Sequence, residues 1–287
     1  TAAITSFVGG TSVSSIADTQ PEGVTVLTFT IADDGLAPFA EDNTPTLINQ
    51  IVINRDIAND DMGDWQNALA GAELYHNGSG TLEIGNITAD AITFSSIPNG
   101  SNADLGYITS EGSKIYTLKV WLKSSLGGSL PTTIDGLNIV FDLDETDITV
   151  EGLGSSLFAA NPTANSGATS NAISVAATEL HYIAGTEPIN IGLEAQFLTQ
   201  PQVEATDANG NRDLGWISNA TISNLGDDSV VGDNTGALNQ NISVLPSPAF
   251  SSGIFTFPAN FVFTEPGNNV TVNVNSAGIV LANQATY

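Results

Sequence analysis

The stretch YTLKVWLK, residues 116–123, alternates apolar and polar side chains along its whole length. Successive side chains of a β-strand point to opposite faces, so this period of two predicts a strand with one buried face. The predicted buried face holds the residues of one parity: Tyr116, Leu118, Val120 and Leu122. Thr117, Lys119, Trp121 and Lys123 share the other face. The segment is therefore predicted to be a half-buried strand.

The same alternation recurs at residues 27–31, 137–144 and 270–274. Clusters rich in Pro, Gly, Asn and Ser, such as residues 98–102, separate the alternating runs and are typical of turns. Short strands joined by turns at this spacing are typical of β-sandwiches rather than of βαβ units. Residues 64–70 are compatible with one helical turn and equally with a loop. We therefore predict an all-β fold.

The length of 287 residues leaves room for two domains of ordinary size. Residues 159–170, after Phe158, are small, polar and poor in aromatic side chains, which is typical of a linker or a long surface loop. Residues 171–175 alternate again, and we interpret them as the closing strand of the first domain. The prediction is two β-sandwich domains in tandem, residues 1–177 with acidic loops and residues 178–287. No internal repeat relates the halves, so the two domains are expected to differ.

The chain is strongly acidic, with 31 Asp and Glu against 5 Lys and Arg and a formal net charge of −26. Nucleic acid is not expected as a partner, because binding to phosphates needs basic side chains. A charge of this size repels itself, and cations that screen or bind it would stabilise the compact state. The surface is therefore a solvated, solubilising one, or one that binds divalent cations, or both.

Cysteine is absent from the chain. No disulfide supports the fold, and thiolate catalysis and thiolate metal ligands are excluded. No stretch reaches the roughly 18 apolar residues of a membrane span, so membrane insertion is not expected. Abundant Thr, Ser, Asn and Gly with little Lys resembles the composition of secreted bacterial surface proteins. We expect an extracellular location.

The loop ATDANGNRD, residues 205–213, is the most informative local motif. Acidic and amide side chains alternate along it: Asp207, Asn209, Asn211 and Asp213. Such a loop can supply several of the about six to eight oxygen ligands that Ca²⁺ takes, although the match to an EF-hand loop is partial. The pair Asn209-Gly210 also predicts a type I′ hairpin turn, which has positive φ at both central residues and needs no metal. The loop is therefore a tight turn or a calcium site.

Two other acidic loops are candidates for calcium. The first contains four carboxylates: Asp33, Asp34, Glu41 and Asp42. The second also contains four: Asp56, Asp60, Asp61 and Asp64. An ordinary solvated loop is the alternative in both cases. Melting with and without EDTA would separate the two interpretations.

The sequence gives little support for catalysis. The chain has 2 histidines, His76 before an expected turn and His181 in a strand-like segment, and neither fits the pattern of a base beside a nucleophile. Asp142 and Asp144 are expected on one strand face, about 7 Å apart. Glycoside hydrolysis can use a carboxylate pair at such a spacing, but a polar outer face of a strand explains it equally well.

Short motifs in both halves resemble a known family. Residues 178–182 (TELHY), 199–201 (TQP) and 203–213 (VEATDANGNRD) are similar to the opening of immunoglobulin-like repeats in very large Bacteroidota cell-surface proteins. Gliding-motility adhesins secreted by the type IX system are the best-known examples. Residues 29–35 (FTIADDG) and 46–53 (TLINQIVI) are similar to the module that precedes such repeats. The resemblance touches most of the chain as scattered short segments.

The resemblance implies an immunoglobulin-like second domain and a series of β-sandwich modules that form a filament or stalk at the cell surface. Adhesion is the implied function, without catalysis, and the implied partners are neighbouring repeats or subunits of the same fibre. The alternative is a carbohydrate-binding module or an associated glycoside hydrolase that contacts surface glycans. It would use Trp121 or Trp216 as a platform and Asp142 or Asp144 as the acid, although packing at a domain junction is favoured for the two tryptophans.

Overall fold

The computed structural model describes residues 1–33, 42–76, 82–125, 133–158, 167–187, 198–224, 249–258, 271–282 and 285–286. The chain divides into two compact units, Thr1–Ser174 and Val175–Tyr287. Strands build both units, and the only α-helix in the described ranges has 4 residues. The all-β prediction is confirmed. The domain limits of 1–177 and 178–287 stay a prediction.

The first unit contains the longest strands of the described chain. Its elements are, in order, β1 Ala2–Gly9, β2 Val13–Ser14, β3 Val24–Asp33, β4 Thr46–Arg55, α1 Trp65–Ala68, β5 Leu69–His76, β6 Leu82–Ile84, β7 Asn86–Ile87, β8 Ala91–Ser95, β9 Tyr107–Ile108, β10 Ser113–Leu122, β11 Asn138–Leu143, β12 Ile148–Val150 and β13 Gly167–Ser174. Two 3₁₀ helices, Gln20–Glu22 and Glu145–Asp147, lie between strands.

The strands of the first unit form a β-sandwich of two sheets. Among the described residues, one sheet is antiparallel with the order β1-β3-β10-β5-β6. The other has the order β2-β13-β11-β4-β8-β7, with β9 and β12 also paired to β4. Its pairs are antiparallel except for β2 with β13, which are parallel. An early and a late segment of this unit therefore run side by side in the same direction.

The apolar faces predicted from the alternation form the core of this sandwich. Phe29 on β3 stacks on Tyr116 on β10 with ring centroids 5.2 Å apart, and Trp65 on α1 contacts Phe141 on β11 at 4.9 Å. Burial raises the pKa of the Tyr116 phenol, whose hydroxyl donates to the Leu105 carbonyl at 2.9 Å. The other predicted core residues are also buried, except for Leu137, which is half-buried: Leu27, Ile31, Leu118, Val120, Leu122, Ile139 and Leu143. Each contributes about 1.5–3 kcal/mol to folding by leaving water.

The opposite faces are more covered than the alternation predicts. Thr117 is buried although it has the polar parity. The indole of Trp121 lies against the backbone of Gly71 on β5, where an added Cβ would be 2.0 Å from Cζ2 of the ring. His76 is the last residue of β5 and is buried, so it belongs to a strand.

The second unit has its own core. Its strands are β14 Glu179–Tyr182, β15 Gln202–Thr206, β16 Ala220–Asn224, β17 Ile254–Thr256, β18 Thr271–Ser276, β19 Ile279–Val280 and β20 Ala285–Thr286. In the described segments they form one sheet β14-β15-β17 and another β16-β18-β19, with β20 paired to β18. Phe255 contacts Phe250 and Phe257 in the centre of the core. Val272 and Val274 are buried there as predicted, whereas Val270 lies outside the described residues.

Candidate functional site

The loop that follows β15 is a hairpin turn. The Gly210 N–H donates to the Asp207 carbonyl at 3.1 Å, and the Asp207 N–H donates to the Asn211 carbonyl at 2.9 Å. Gly210 has a φ of +81°, and Asn209 is not among the described residues with positive φ. This pattern defines a type I turn closed by a glycine bulge. The prediction of a turn is confirmed, but the predicted type I′ geometry is wrong because only Gly210 is left-handed.

The carboxylate of Asp207 holds this turn from the inside. Asp207 is 0% exposed. Its Oδ1 accepts from the N–H groups of Asn209 and Asn211 at 2.9 Å each, and its Oδ2 accepts from Asn211 Nδ2 at 2.9 Å. Asp213 is used in a similar way, since its Oδ2 accepts from the Ala177 N–H at 3.0 Å. A calcium ion would have to displace these donors, so the contacts support the turn, and calcium at Asp207, Asn209, Asn211 and Asp213 stays a prediction.

The first of the other acidic loops falls partly within the described residues. Asp34 and Glu41 lie outside them. Asp33 is buried at the end of β3. Asp42 accepts from the hydroxyl and the N–H of Thr44 at 2.6 and 2.9 Å and from the Ser156 hydroxyl at 2.7 Å. These hydrogen bonds, that of the Thr44 hydroxyl above all, hold the pKa of Asp42 well below its usual range.

Asp60 is the central residue of the second acidic loop. Its side chain is 0% exposed and lies 3.6 Å from Nη1 of Arg55. The carboxylate accepts hydrogen bonds from the N–H groups of Met62, Gly63 and Val140 and from the indole N–H of Trp65. The Val140 bond ties this loop to β11. Asp60 is therefore a buried structural acceptor rather than a solvated surface charge.

The neighbouring carboxylates of this loop are also bound to protein donors. Asp61 accepts from the N–H and Nδ2 of Asn138 at 2.9 and 3.0 Å. Asp64 caps α1 by accepting from the Gln66 N–H at 2.9 Å, which confirms a helical turn within residues 64–70. Asp56 accepts from the Ala58 N–H and from Asn59 Nδ2 at 3.1 and 2.6 Å. All four carboxylates therefore fix the chain around them.

Two carboxylates near the end of β11, those of Asp142 and Asp147, have raised pKa values. Burial raises the pKa of Asp142, and the nearby charges of Asp56 and Asp144 raise it further. Burial also raises the pKa of Asp147, although its Oδ2 accepts from the Asp144 N–H at 3.0 Å. A carboxylic acid with a raised pKa can act as a general acid. Asp144 serves as the cap of the 3₁₀ helix, where its Oδ1 accepts from the Thr146 N–H at 2.6 Å.

Glu145 belongs to the same acidic set in the sequence as Asp142, Asp144 and Asp147. It is 2% exposed, and its Oε1 accepts from the Ile4 N–H on β1 at 3.0 Å. Its Oε2 has no hydrogen-bond partner in the described part of the chain. Burial raises the pKa of this carboxyl, and the charge of Asp144 adds to the shift. Across the described ranges, no group of three or more carboxylates and histidines is arranged to hold a metal ion.

The two tryptophans of the carbohydrate alternative differ in their surroundings. Trp216 packs against the core of the second unit, and its Nε1 donates to Ser276 Oγ at 3.2 Å. Trp121 stays half-buried on the outward side of β10. Beside it, Lys119 Nζ lies 3.3 Å from Oε1 of Glu73. Of these two tryptophans, Trp121 fits an aromatic platform better.

A polar cleft of about 420 Å³ lies elsewhere on the first unit. Its walls come from β4, β8 and the residue after β12: Asn49, Gln50, Ser95, Ser96 and Glu151. Ser96 has a φ of +60°, which is an uncommon conformation for a residue other than Gly. The cleft has no aromatic wall, and Asn99 Nδ2 donates to Glu151 at its rim at 3.3 Å.

No family model matches the chain, and no curated protein matches it either. No helix in the described residues is long and apolar enough to cross a membrane.

Proposed function

We propose that this chain is a structural and adhesive unit of a long extracellular filament or stalk at the cell surface, without catalytic activity. The observation that carries the proposal is the internal use of the acidic side chains. The carboxylates of Asp42, Asp60 and Asp207 each accept several hydrogen bonds from the loops that contain them or pack beside them. Acidic groups used in this way stabilise the fold and are not available as reactive groups.

Loops held by charged acceptors suit a module that must keep its shape. A hydrogen bond to a charged group contributes about 1.5–3 kcal/mol, which is more than a neutral one does. Asp60 and Asp207 each accept several such bonds while buried. The cost of moving these loops is therefore high compared with an ordinary solvated loop. A rigid scaffold of this kind favours a structural role over one that needs mobile active-site loops.

We also propose that the second unit is an immunoglobulin-like β-sandwich. Its two sheets, β14-β15-β17 and β16-β18-β19, and their shared aromatic core support a sandwich. The resemblance of residues 178–182 and 203–213 to the opening of such repeats supports the finer assignment. The expected partners are neighbouring repeats or subunits of the same fibre.

Calcium has a secondary place in this proposal. The net charge of −26 favours bound or screening cations. The turn at Asp207 already satisfies its carboxylate with protein donors, so a calcium ion bound there would have to replace some of these donors, and it would stiffen the fibre at that loop.

The length and sequence of the parent polypeptide test the proposal. Tandem copies of this two-unit segment are expected on one side or both, and protease treatment of intact cells is expected to release them. A single copy that is protected in intact cells would contradict the structural role at the surface.

A second candidate, carbohydrate binding, is favoured by the position of Trp121. The ring covers Gly71 on the outward side of the sheet, and aromatic rings of this kind can stack on sugars. A glycan array tests it with the unaltered chain and the Trp121→Ala variant, and Trp216→Phe serves as the control. Binding to a defined sugar that Trp121→Ala abolishes and Trp216→Phe retains would replace the adhesive-repeat proposal by this one.

A further inference from the structure

The first and last segments of the first unit run side by side in parallel. Val13 pairs with Ile173 and Ser14 with Ser174, and the Ser15 N–H then donates to the Ser174 carbonyl at 3.0 Å. Val13 and Ile173 are 0% and 2% exposed, so water does not compete for this contact. The chain thus joins the segment near its amino end to the last strand before the second unit.

Asn171 on β13 extends this contact toward the amino end. It is 0% exposed. Its Oδ1 accepts from the N–H groups of Gly10 and Thr11 at 3.2 and 2.9 Å. Its Nδ2 lies 3.4 Å from the Ile139 carbonyl, which anchors the amide in the sheet. The hydrogen bonds of the Asn171 side chain therefore hold residues 10 and 11 against β13, at positions that the pairing of β2 with β13 does not include.

Gly9 completes the contact at its far end. A Cβ at Gly9 would lie 2.4 Å from Cβ of Thr169, so the Thr169 side chain packs directly against the Gly9 backbone and leaves no room for a side chain there. Contacts between the two segments thus follow in order from Gly9 to Ser15 on one side and from Thr169 to Ser174 on the other. We name residues 9–15 and 169–174 the terminal clamp.

The direction of the two segments decides how tension acts on the terminal clamp. Tension at residue 1 draws residues 9–15 toward their amino end, and tension at residue 174 draws β13 toward its carboxyl end. Because the segments are parallel, these pulls slide one along the other and load all of the contacts at once. The hydrogen bonds that link the two segments must then break together, whereas a pair pulled apart from one end opens one bond at a time.

Strand β1 adds resistance in the same direction. It pairs with β3 from Ala2 to Gly9, with one register shift between Ile4 and Ser6. Glu145 accepts the Ile4 N–H at that shift, so the irregular point of the ladder is also tied. A pull on residue 1 therefore meets the β1 pairing before it reaches the terminal clamp.

We propose that the first unit is load-bearing, and that the terminal clamp sets its resistance to unfolding under tension, with Asn171 as the central tie. The source of the tension rests on the proposed function in a filament. The mechanical property itself rests on the contacts of the clamp alone.

Single-molecule pulling of the full chain tests the proposal by changing only the direction of the load. The chain has 0 Cys, so a cysteine handle can be placed at one position at a time. A handle at residue 1 loads the clamp along the strands, and a handle on Thr19→Cys, an exposed position beyond β2, opens the clamp from its carboxyl end. The second handle is at residue 287 in both cases. The first unit is expected to unfold at a clearly higher force in the first geometry.

Equal unfolding forces in the two geometries would overturn the proposal, and this comparison needs no destabilising substitution. Asn171→Ala provides the second measurement. Loss of its bonds to Gly10 and Thr11 is expected to raise the unfolding rate under tension from residue 1 by about tenfold or more. The matched control is Asn99→Ala, which removes side-chain hydrogen bonds to the Ile48 carbonyl and to Glu151 and touches no residue of the clamp.

The outcomes separate this inference from the proposed function. An unfolding rate for Asn171→Ala that is equal to or slower than that for Asn99→Ala would overturn the central role of Asn171. A strong clamp in a chain that is not exposed on cells would remove the filament and leave the mechanical property established. Equal unfolding forces in the two geometries, for a chain that does form a surface fibre, would overturn the mechanical inference and leave the filament proposal in place.

Discussion

Replacement of Asp60 by Ala should destabilise the first unit strongly. The substitution removes the acceptor for the buried indole N–H of Trp65 and for the N–H of Val140. Both residues are almost inaccessible, at 0% and 3% exposed, so water cannot replace the lost partner without a structural change. A buried donor left without a partner costs about 1–3 kcal/mol. Two such donors give a loss of about 2–6 kcal/mol, which is a large part of the about 5–15 kcal/mol that stabilises a typical domain.

Asp90→Ala is the matched control for Asp60→Ala. Both aspartates contact Arg55, whose own side chain is 9% exposed, but the Asp90 side chain is 58% exposed, so its ion pair at 2.6 Å is open to water on the aspartate side. Exposed ion pairs contribute about 0–1 kcal/mol, so this variant should stay close to the unaltered chain. Asp60→Asn should fall between the two, because its amide keeps one acceptor oxygen.

Urea unfolding measures these differences. Tryptophan fluorescence in a Trp216→Phe background reports on the first unit, which holds Trp65 and Trp121. A fit to a single transition is then justified for that unit, provided that circular dichroism gives the same midpoint for its transition. A loss for Asp60→Ala no larger than that for Asp90→Ala would refute the role of Asp60 as a buried acceptor.

Three further predictions concern the other carboxylates. Asp207→Ala should lower the free energy of unfolding of the second unit by about 1–3 kcal/mol, with Asp207→Asn closer to the unaltered chain; an EDTA-induced drop in melting temperature that Asp207→Ala abolishes would show a calcium site instead. Glu145→Gln should gain stability relative to the unaltered chain as the pH rises above about 4.5, because burial raises the pKa of the Glu145 carboxyl in the folded state and ionisation of this carboxyl then opposes folding. A stability difference in urea titrations that does not vary with pH would contradict this. Asp42 has a lowered pKa in the folded state, so its contribution to the stability of the first unit is complete above the unfolded value of about 3.8 and is lost as the pH falls below that value. The difference in stability between the unaltered chain and Asp42→Asn should therefore shrink in acid, and a difference that widens would contradict this.

Local patterns in the sequence were enough to predict several of the longer strands and the core residues that these strands carry. Leu118, Val120 and Leu122 are buried because a period of two is a property of neighbouring residues, whatever the strand pairs with. The same logic predicted Val272 and Val274 in the second unit. The alternation places Thr117 on the polar face, but Thr117 is buried, because side chains from neighbouring strands decide how much of that face is exposed to water.

The type of the turn at Asn209-Gly210 could not be read from the pair alone. The same two residues suit a type I′ turn and a type I turn with a glycine bulge. The loop follows the second geometry, and the Asp207 carboxylate satisfies the N–H groups of Asn209 and Asn211 in it. The pairing of Thr206 with Arg212 sets the loop length, and that pairing is a property of the folded hairpin.

The buried polar ties were missed because their partners are far away in the sequence. Asn171 binds Gly10 across 161 positions, and Glu145 binds Ile4 across 141. A single Asn in a strand or a Glu in a short helix gives no local sign of such a partner. The acidic loops were predicted to be calcium sites or solvated loops, and their donors on β11 and in neighbouring loops were not predictable for the same reason.

Immunogold electron microscopy of intact cells that make the protein tests the central claim most directly. Antibodies against residues 1–287 should label extended filaments or stalks outside the cell, without permeabilisation of the cells. Label found only after permeabilisation, or label on the surface without any fibre, would contradict the claim that this chain is a structural unit of an extracellular filament.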